Sequence, residues 1–340
     1  MPRNSQVTLG PGRICSCSNS GICRFGSRFC LVVIAALFCA APASFADAAG
    51  PSVMPFHVVR GFAVIVPVTV NGCGPYDFML DTGTTITTVD RELGQELALQ
   101  PQGPGTAMTL SERIPASLAL ARSVVFGPMT EQNVEVMIRD LSGLRRMAPT
   151  TRGVLGQNSL KHTDFLLDYR HKFLAFDVDG ELVRSLKGHH VPLRRVEAEG
   201  NPQYANLAVH ASVTDYGVRA MDVLLDSGAA SMVLFGGIER RGSEFAQGFA
   251  VDTAGRQMLA DVREIQLVID GNTREMATNV LAFQVGKEIG GLLPTSIFNS
   301  IYISNNGGFA MFEPKLKKSG SLDRMIAALT PKATPHGRKS

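Results

Sequence analysis

Phe78-Met79-Leu80-Asp81-Thr82-Gly83-Thr84 returns later in the chain as Val223-Leu224-Leu225-Asp226-Ser227-Gly228-Ala229, and this repetition decides the fold. The likeness extends in both directions. Upstream, Val64 to Val70 ends at Asn71-Gly72, and Leu207 to Thr214 ends at Tyr216-Gly217. Each is a β-rich stretch, then turn residues, then the Asp-bearing strand. Downstream, Gly153-Val154-Leu155-Gly156 corresponds to Gly291-Leu292-Leu293-Pro294, each a glycine followed by an apolar pair. Return strands follow: Phe165 to Asp168 with Phe173 to Phe176 in one copy, Ile301 to Ser304 with Phe309 to Phe312 in the other. Landmarks in one order, twice, imply a duplicated unit.

The segments between the landmarks also read as strands: Thr109 to Val125 and Val134 to Ile138, against Val262 to Ile269 and Asn279 to Val285. Frequent glycine and proline, with no tryptophan, fit many short strands and turns. A short helix is expected at Asp90 to Leu97, with Asp90 as its N-cap and Leu93 and Leu97 on one face. The expected organisation is an N-terminal lobe over 53–185, a polar linker over 186–203, a C-terminal lobe over 204–314 and a flexible tail over 315–340.

Residues 1–46 read as an export signal. Arg3, Arg13, Arg24 and Arg28 precede an apolar run from Cys30 to Ala41, and no acidic residue occurs before Asp47. The run is shorter than the roughly 20 residues that span a bilayer, and Ser44-Phe45-Ala46 offers small residues for cleavage. The expected location is periplasmic or secreted, with no membrane association once the signal is removed. The segment holds four of the 33 basic and none of the 30 acidic residues, so the rest of the chain is close to neutral. Neither nucleic acid nor another highly charged partner is implied. Five of the six cysteines lie in it as well, which leaves Cys73 alone and excludes a disulfide framework.

An apolar strand that runs into Asp-(Thr/Ser)-Gly sets a carboxylate at the end of a buried element, and the glycine lets the backbone turn beside it. One such match is weak: Val268-Ile269-Asp270-Gly271-Asn272 is expected to be a surface hairpin turn. Two copies related by a pseudo-twofold axis would bring Asp81 and Asp226 face to face. Carboxylates a few ångströms apart share one proton, so one site holds both an acid and a base. The ionised member can take a proton from a water attacking a peptide carbonyl, and the protonated member can polarise that carbonyl. This chemistry calls for no metal or other cofactor. His-Glu-x-x-His and Gly-x-Ser-x-Gly are both absent.

These residues resemble the aspartic peptidases of the pepsin and retropepsin clan, above all bacterial retropepsin-like proteins, over Val58 to about Pro314. The resemblance implies an all-β fold of two similar six-stranded-type lobes, a pseudo-twofold bilobal barrel with a central cleft that works as a monomer. It implies an aspartic endopeptidase acting on extended peptides, with Asp81 and Asp226 as the catalytic pair. Thr82 and Ser227 would hydrogen-bond crosswise to the opposite lobe, with Gly83, Gly228 and Thr84 supporting the loops. Gly156 would pack under the first loop; Pro294 replaces it in the second. Gly103-Pro104-Gly105 and Asp252-Thr253-Ala254-Gly255 are the expected flap tips. Thr84 can donate to Asp81, whereas Ala229 offers Asp226 nothing equivalent, so Asp81 is expected to ionise more readily. Two other readings compete: a non-catalytic module that holds peptides by strand addition in the same fold, and an ATPase of the actin and sugar-kinase type, whose phosphate turn Asp81-Thr82-Gly83-Thr84-Thr85 also resembles.

Overall fold

The computed structural model describes residues 52–198, 201–214, 219–236, 246–282 and 289–317. The expected export segment and most of the expected tail lie outside them. Two eight-stranded sheets carry the two halves of the repeat. In space, the first runs His57–Val59, Ala63–Val70, Cys73–Leu80, Thr151–Leu155, Thr88–Asp90, Met129–Arg139, Arg113–Phe126, Pro101–Met108. The second runs Arg194–Ala198, Asn201–Val213, Arg219–Asp226, Gly291–Pro294, Met232–Phe235, Asn272–Leu281, Gln257–Ile269, Ala246–Val251. The order is the same position for position. Each sheet also folds back on itself through one extra pairing, Thr69 with Val125 in the first and Val213 with Leu267 in the second.

The fold is therefore all-β and two-lobed, with eight strands in each lobe sheet where six were expected. A third sheet joins the halves. It pairs the return strands of the two copies directly, Phe165 opposite Ile303 and Leu167 opposite Ile301. Ser52–Pro55 and Val191–Pro192 form its edges. Phe165, Leu167, Ile301 and Ile303 are fully buried in one apolar cluster that also holds Phe78, Leu80, Val223 and Leu225. Burial of side chains this size contributes about 1.5–3 kcal/mol each, so the strands that end at the two aspartates are anchored in a common core.

The glycine that opens each apolar pair has a packing reason. A Cβ on Gly153 would meet the Phe78 ring at 2.2 Å, and one on Gly291 would meet the Val233 carbonyl oxygen at 2.2 Å. Both are parallel neighbours of the Asp-bearing strands, with Leu80 opposite Leu155 and Asp226 opposite Pro294.

The hairpin turns at Asn71-Gly72 and Asp270-Gly271 lie where the sequence puts them, each with positive φ at both residues. The helix spans Arg91–Glu96 with Asp90 at its N-cap, but the Asp90 side chain does not cap it. Instead the carboxylate accepts from the Leu141 amide at 3.0 Å and pairs with Arg145. The 186–203 segment contains the strands Leu186–Lys187, Val191–Pro192 and Arg194–Ala198. Lys315–Leu316, at the start of the expected tail, pairs with Leu186–Lys187.

Candidate functional site

Asp81 and Asp226 end corresponding strands, and their loops interlock across the pseudo-twofold axis. Thr82 Oγ1 accepts from the Ser227 amide at 3.0 Å and donates to the Leu225 carbonyl at 2.7 Å. In mirror fashion, Ser227 Oγ accepts from the Thr82 amide at 3.0 Å and donates to the Leu80 carbonyl at 2.9 Å. Both side chains are fully buried. Four backbone groups that would otherwise lack partners inside the protein are satisfied by two hydroxyls.

The glycines that follow are required by proximity. A Cβ on Gly83 would lie 2.6 Å from Asp226 Cγ, and one on Gly228 would lie 2.7 Å from Asp81 Cγ. Each carboxylate is thus pressed against the backbone of the other lobe. Asp81 is 5% exposed and Asp226 9%.

Their surroundings differ. Asp81 Oδ1 accepts from the amides of Gly83 at 2.8 Å and Thr84 at 3.1 Å, and its Oδ2 accepts from Thr84 Oγ1 at 2.8 Å. Asp226 Oδ1 accepts from the Gly228 amide at 2.8 Å, and Ala229 has no hydroxyl to add. Burial pushes the Asp81 carboxyl above its ordinary value, against the pull of the Thr84 hydroxyl and the Gly83 amide. Burial, then repulsion from Asp81, drives Asp226 well above the usual carboxylate range. The Thr84 hydroxyl and the two amides thus favour the charged form of Asp81, a support that Asp226 has only in part.

Gly156 supports the first loop from below. A Cβ there would come within 2.9 Å of the Thr87 nitrogen and 3.0 Å of the Thr84 carbonyl oxygen. Its amide donates to Thr87 Oγ1 at 3.1 Å, and the Gln157 amide donates to the Thr84 carbonyl at 2.7 Å. In the second lobe, Pro294 leads into a single turn of 3-10 helix, Thr295–Ile297, where the first has the helical turn Gln157–Leu160.

Two supporting residues have no local sequence signal. Asn206, 8% exposed, donates from Nδ2 to the Gly83 carbonyl at 2.5 Å, from the opposite lobe. The Tyr169 hydroxyl lies 2.6 Å from Thr295 Oγ1, and burial raises its pKa, with the fields of Asp226 and Asp81 adding to the rise.

One expected flap tip is displaced. Gly103-Pro104-Gly105 lies inside the edge strand Pro101–Met108, paired with Ala116 to Leu118; an edge strand tolerates proline because one side of it needs no ladder donor. The turn falls at Thr109–Glu112, where Thr109 Oγ1 accepts from the Glu112 amide at 3.1 Å and so closes it locally. The other expected tip, Asp252-Thr253-Ala254-Gly255, lies in the turn between Ala246–Val251 and Gln257–Ile269, closed by the bond from the Asp252 amide to the Arg256 carbonyl at 3.0 Å. The two tips meet: Ser111 donates to Asp252, and Glu112 pairs with Arg256 at 2.6 Å. Leu110 packs on the Val233, Phe235 and Ala250 cluster of the other lobe.

Residues 66–159 match the family model described as "Aspartyl protease". The chain is similar to a retropepsin-like aspartic protease from Rickettsia conorii, at 19% identity over 37% of this chain and 89% of that one, with a TM-score of 0.28. No curated protein matches. The family match covers the lobe that carries Asp81, and the lobe that carries Asp226 repeats its strand order position for position.

Proposed function

We propose that this protein is an aspartic endopeptidase that hydrolyses peptide bonds with a water activated between Asp81 and Asp226. The observation that carries the reading is the mutual approach of the two carboxylates, each within a methyl group's reach of the other lobe's glycine. Asp81, with three donors, is the base: it takes the proton of the attacking water. Asp226, protonated, polarises the substrate carbonyl and then serves as the proton source for the leaving nitrogen. The crosswise Thr82 and Ser227 bonds hold both loops while the proton moves. An extended peptide would lie in the cleft beneath the Thr109–Glu112 and Asp252–Arg256 turns, and one chain supplies both halves of the site. The Arg-containing, then apolar, 1–46 segment supports export to the periplasm or beyond.

The test is digestion of a mixed peptide library across about pH 3–8, the span set by known carboxylate dyads, with Asp226→Asn as control. Cleavage that is lost in the control supports the assignment. Equal cleavage by both proteins sinks it.

A further inference from the structure

Arg139 ends the strand Met129–Arg139 and carries a side chain only 6% exposed. Its Nη2 donates to Thr253 Oγ1 of the opposite lobe's turn at 3.2 Å, its Nη1 reaches the Asp140 carbonyl at 3.4 Å, and its Nε has no partner. Among the described residues, no carboxylate comes within the 4.0 Å of an ion pair with it. A guanidinium has five donors in a planar fork, and a buried charge without a counter-charge is costly.

The acids around it are already engaged. Asp252 takes the Ser111 hydroxyl and the amides of Ala254 and Arg256, each at 2.9 Å for the two amides. The Asp140 carboxylate turns to Ser142 and that of Asp81 to Gly83 and Thr84. Arg139 thus reaches from the end of the strand Met129–Arg139 to the opposite lobe's Asp252–Arg256 turn, where burial pulls its guanidinium pKa down and the fields of Asp252 and Asp81 oppose that pull. An anion that enters the cleft there would fill a donor set that the protein leaves open.

We propose that Arg139 is a specificity-determining residue that binds the carboxylate of a Glu or Asp side chain on the peptide substrate. The fork geometry of arginine suits a carboxylate in two-point contact, and displacement of the weak bond to neutral Thr253 costs little. This inference rests on the endopeptidase reading, and its test separates the two.

A peptide library is built in matched Glu and Gln versions, so that each pair differs only in charge. Cleavage-site mapping with the wild-type protein is expected to favour Glu at one position relative to the cut by about tenfold or more, the scale of a charged hydrogen bond. In Arg139→Gln the Glu-to-Gln ratio falls to about one. Arg139→Lys keeps the charge without the fork, so its ratio lies between, and it stands in if Arg139→Gln melts early. Because the readout is a ratio, a general loss of rate does not move it. A ratio unchanged by substitution, or no preference in the wild type, overturns the proposal. If nothing is cleaved, the endopeptidase reading fails by itself, and the subsite is judged by retention of the library on immobilised Asp226→Asn protein. Selective retention of Glu peptides that disappears on adding Arg139→Gln upholds it; equal retention overturns it.

Discussion

Thr82 and Ser227 exchange roles across the lobe boundary: each hydroxyl accepts from the other residue's amide and donates to the carbonyl two residues before it, with all four distances between 2.7 and 3.0 Å. Neither loop can be positioned without the other, so the site is assembled only when both lobes are folded and docked. Removal of either hydroxyl leaves a buried amide and a buried carbonyl unpaired. Each such group costs about 1–3 kcal/mol, so Ser227→Ala should lower stability by about 2–6 kcal/mol in urea unfolding. Thr82→Val should do the same, and the double variant should cost less than the sum, since the two hydroxyls serve one network. Strict additivity would show that the loops are held independently.

Gly83 and Gly228 have a different duty. The missing Cβ atoms leave room for the opposing carboxylates, at 2.6 and 2.7 Å from where those atoms would stand. Gly83→Ala should force Asp226 away by about an ångström while the core beneath, anchored by Phe78 and Leu80, stays packed. A displacement of that size costs about 100-fold in rate. The check is kcat/KM on a cleaved peptide beside circular dichroism: the expected result is a large kinetic loss with an unchanged spectrum, and full activity would contradict the geometry.

The parts that were legible in the sequence are those whose cause is local. Asp-bearing strands declare themselves by an apolar run into Asp-(Thr/Ser)-Gly, and the Asn71-Gly72 hairpin by residues that accept positive φ. The duplication made the dyad legible too, because pairing Asp81 with Asp226 needs only symmetry. What was not legible depends on partners far away in the chain. Asp90 has the residue type and position of an N-cap, yet Arg145 and the Leu141 amide outbid the helix for its carboxylate. Gly103-Pro104-Gly105 has turn composition but lies on an edge strand, while Thr109, an unremarkable threonine, closes the real turn. Asn206 and Arg139 act across the lobe boundary, where no spacing rule reaches.

The raised dyad couples stability to pH. In the unfolded chain both aspartates ionise near the ordinary value of about 3.9, whereas the folded site holds a proton above it. A folded-state pKa above the unfolded one contributes stability that is complete below the unfolded value and is lost as pH rises through the folded one. The melting temperature of the wild type should therefore carry a component that falls as pH climbs from about 4 towards the folded pKa of Asp226. Asp226→Asn removes the group that holds the proton, so its melting curve should lack that component and lie above the wild type at the upper end of the range. Parallel curves for the two proteins would mean that the site does not retain a proton.

Thr84 supplies the asymmetry between two otherwise matched carboxylates. Its hydroxyl donates to Asp81 Oδ2 at 2.8 Å and favours the charged form there, and the corresponding Ala229 cannot do this for Asp226. The acid limb of a pH–rate profile reports the step in which the dyad first loses a proton and gains a base. With Thr84→Ala the Asp81 carboxylate loses one of its three donors, its pKa rises further, and the acid limb should move to higher pH. The alkaline limb reports loss of the remaining proton, held by Asp226, and should move much less. Asp226 has no hydroxyl of its own to lose, so a shift confined to the alkaline limb would reverse the assignment and make Asp226 the base. The conservative variant Thr84→Ser restores the donor and should return the acid limb towards the wild-type position, which a purely structural role for the Thr84 methyl group would not do.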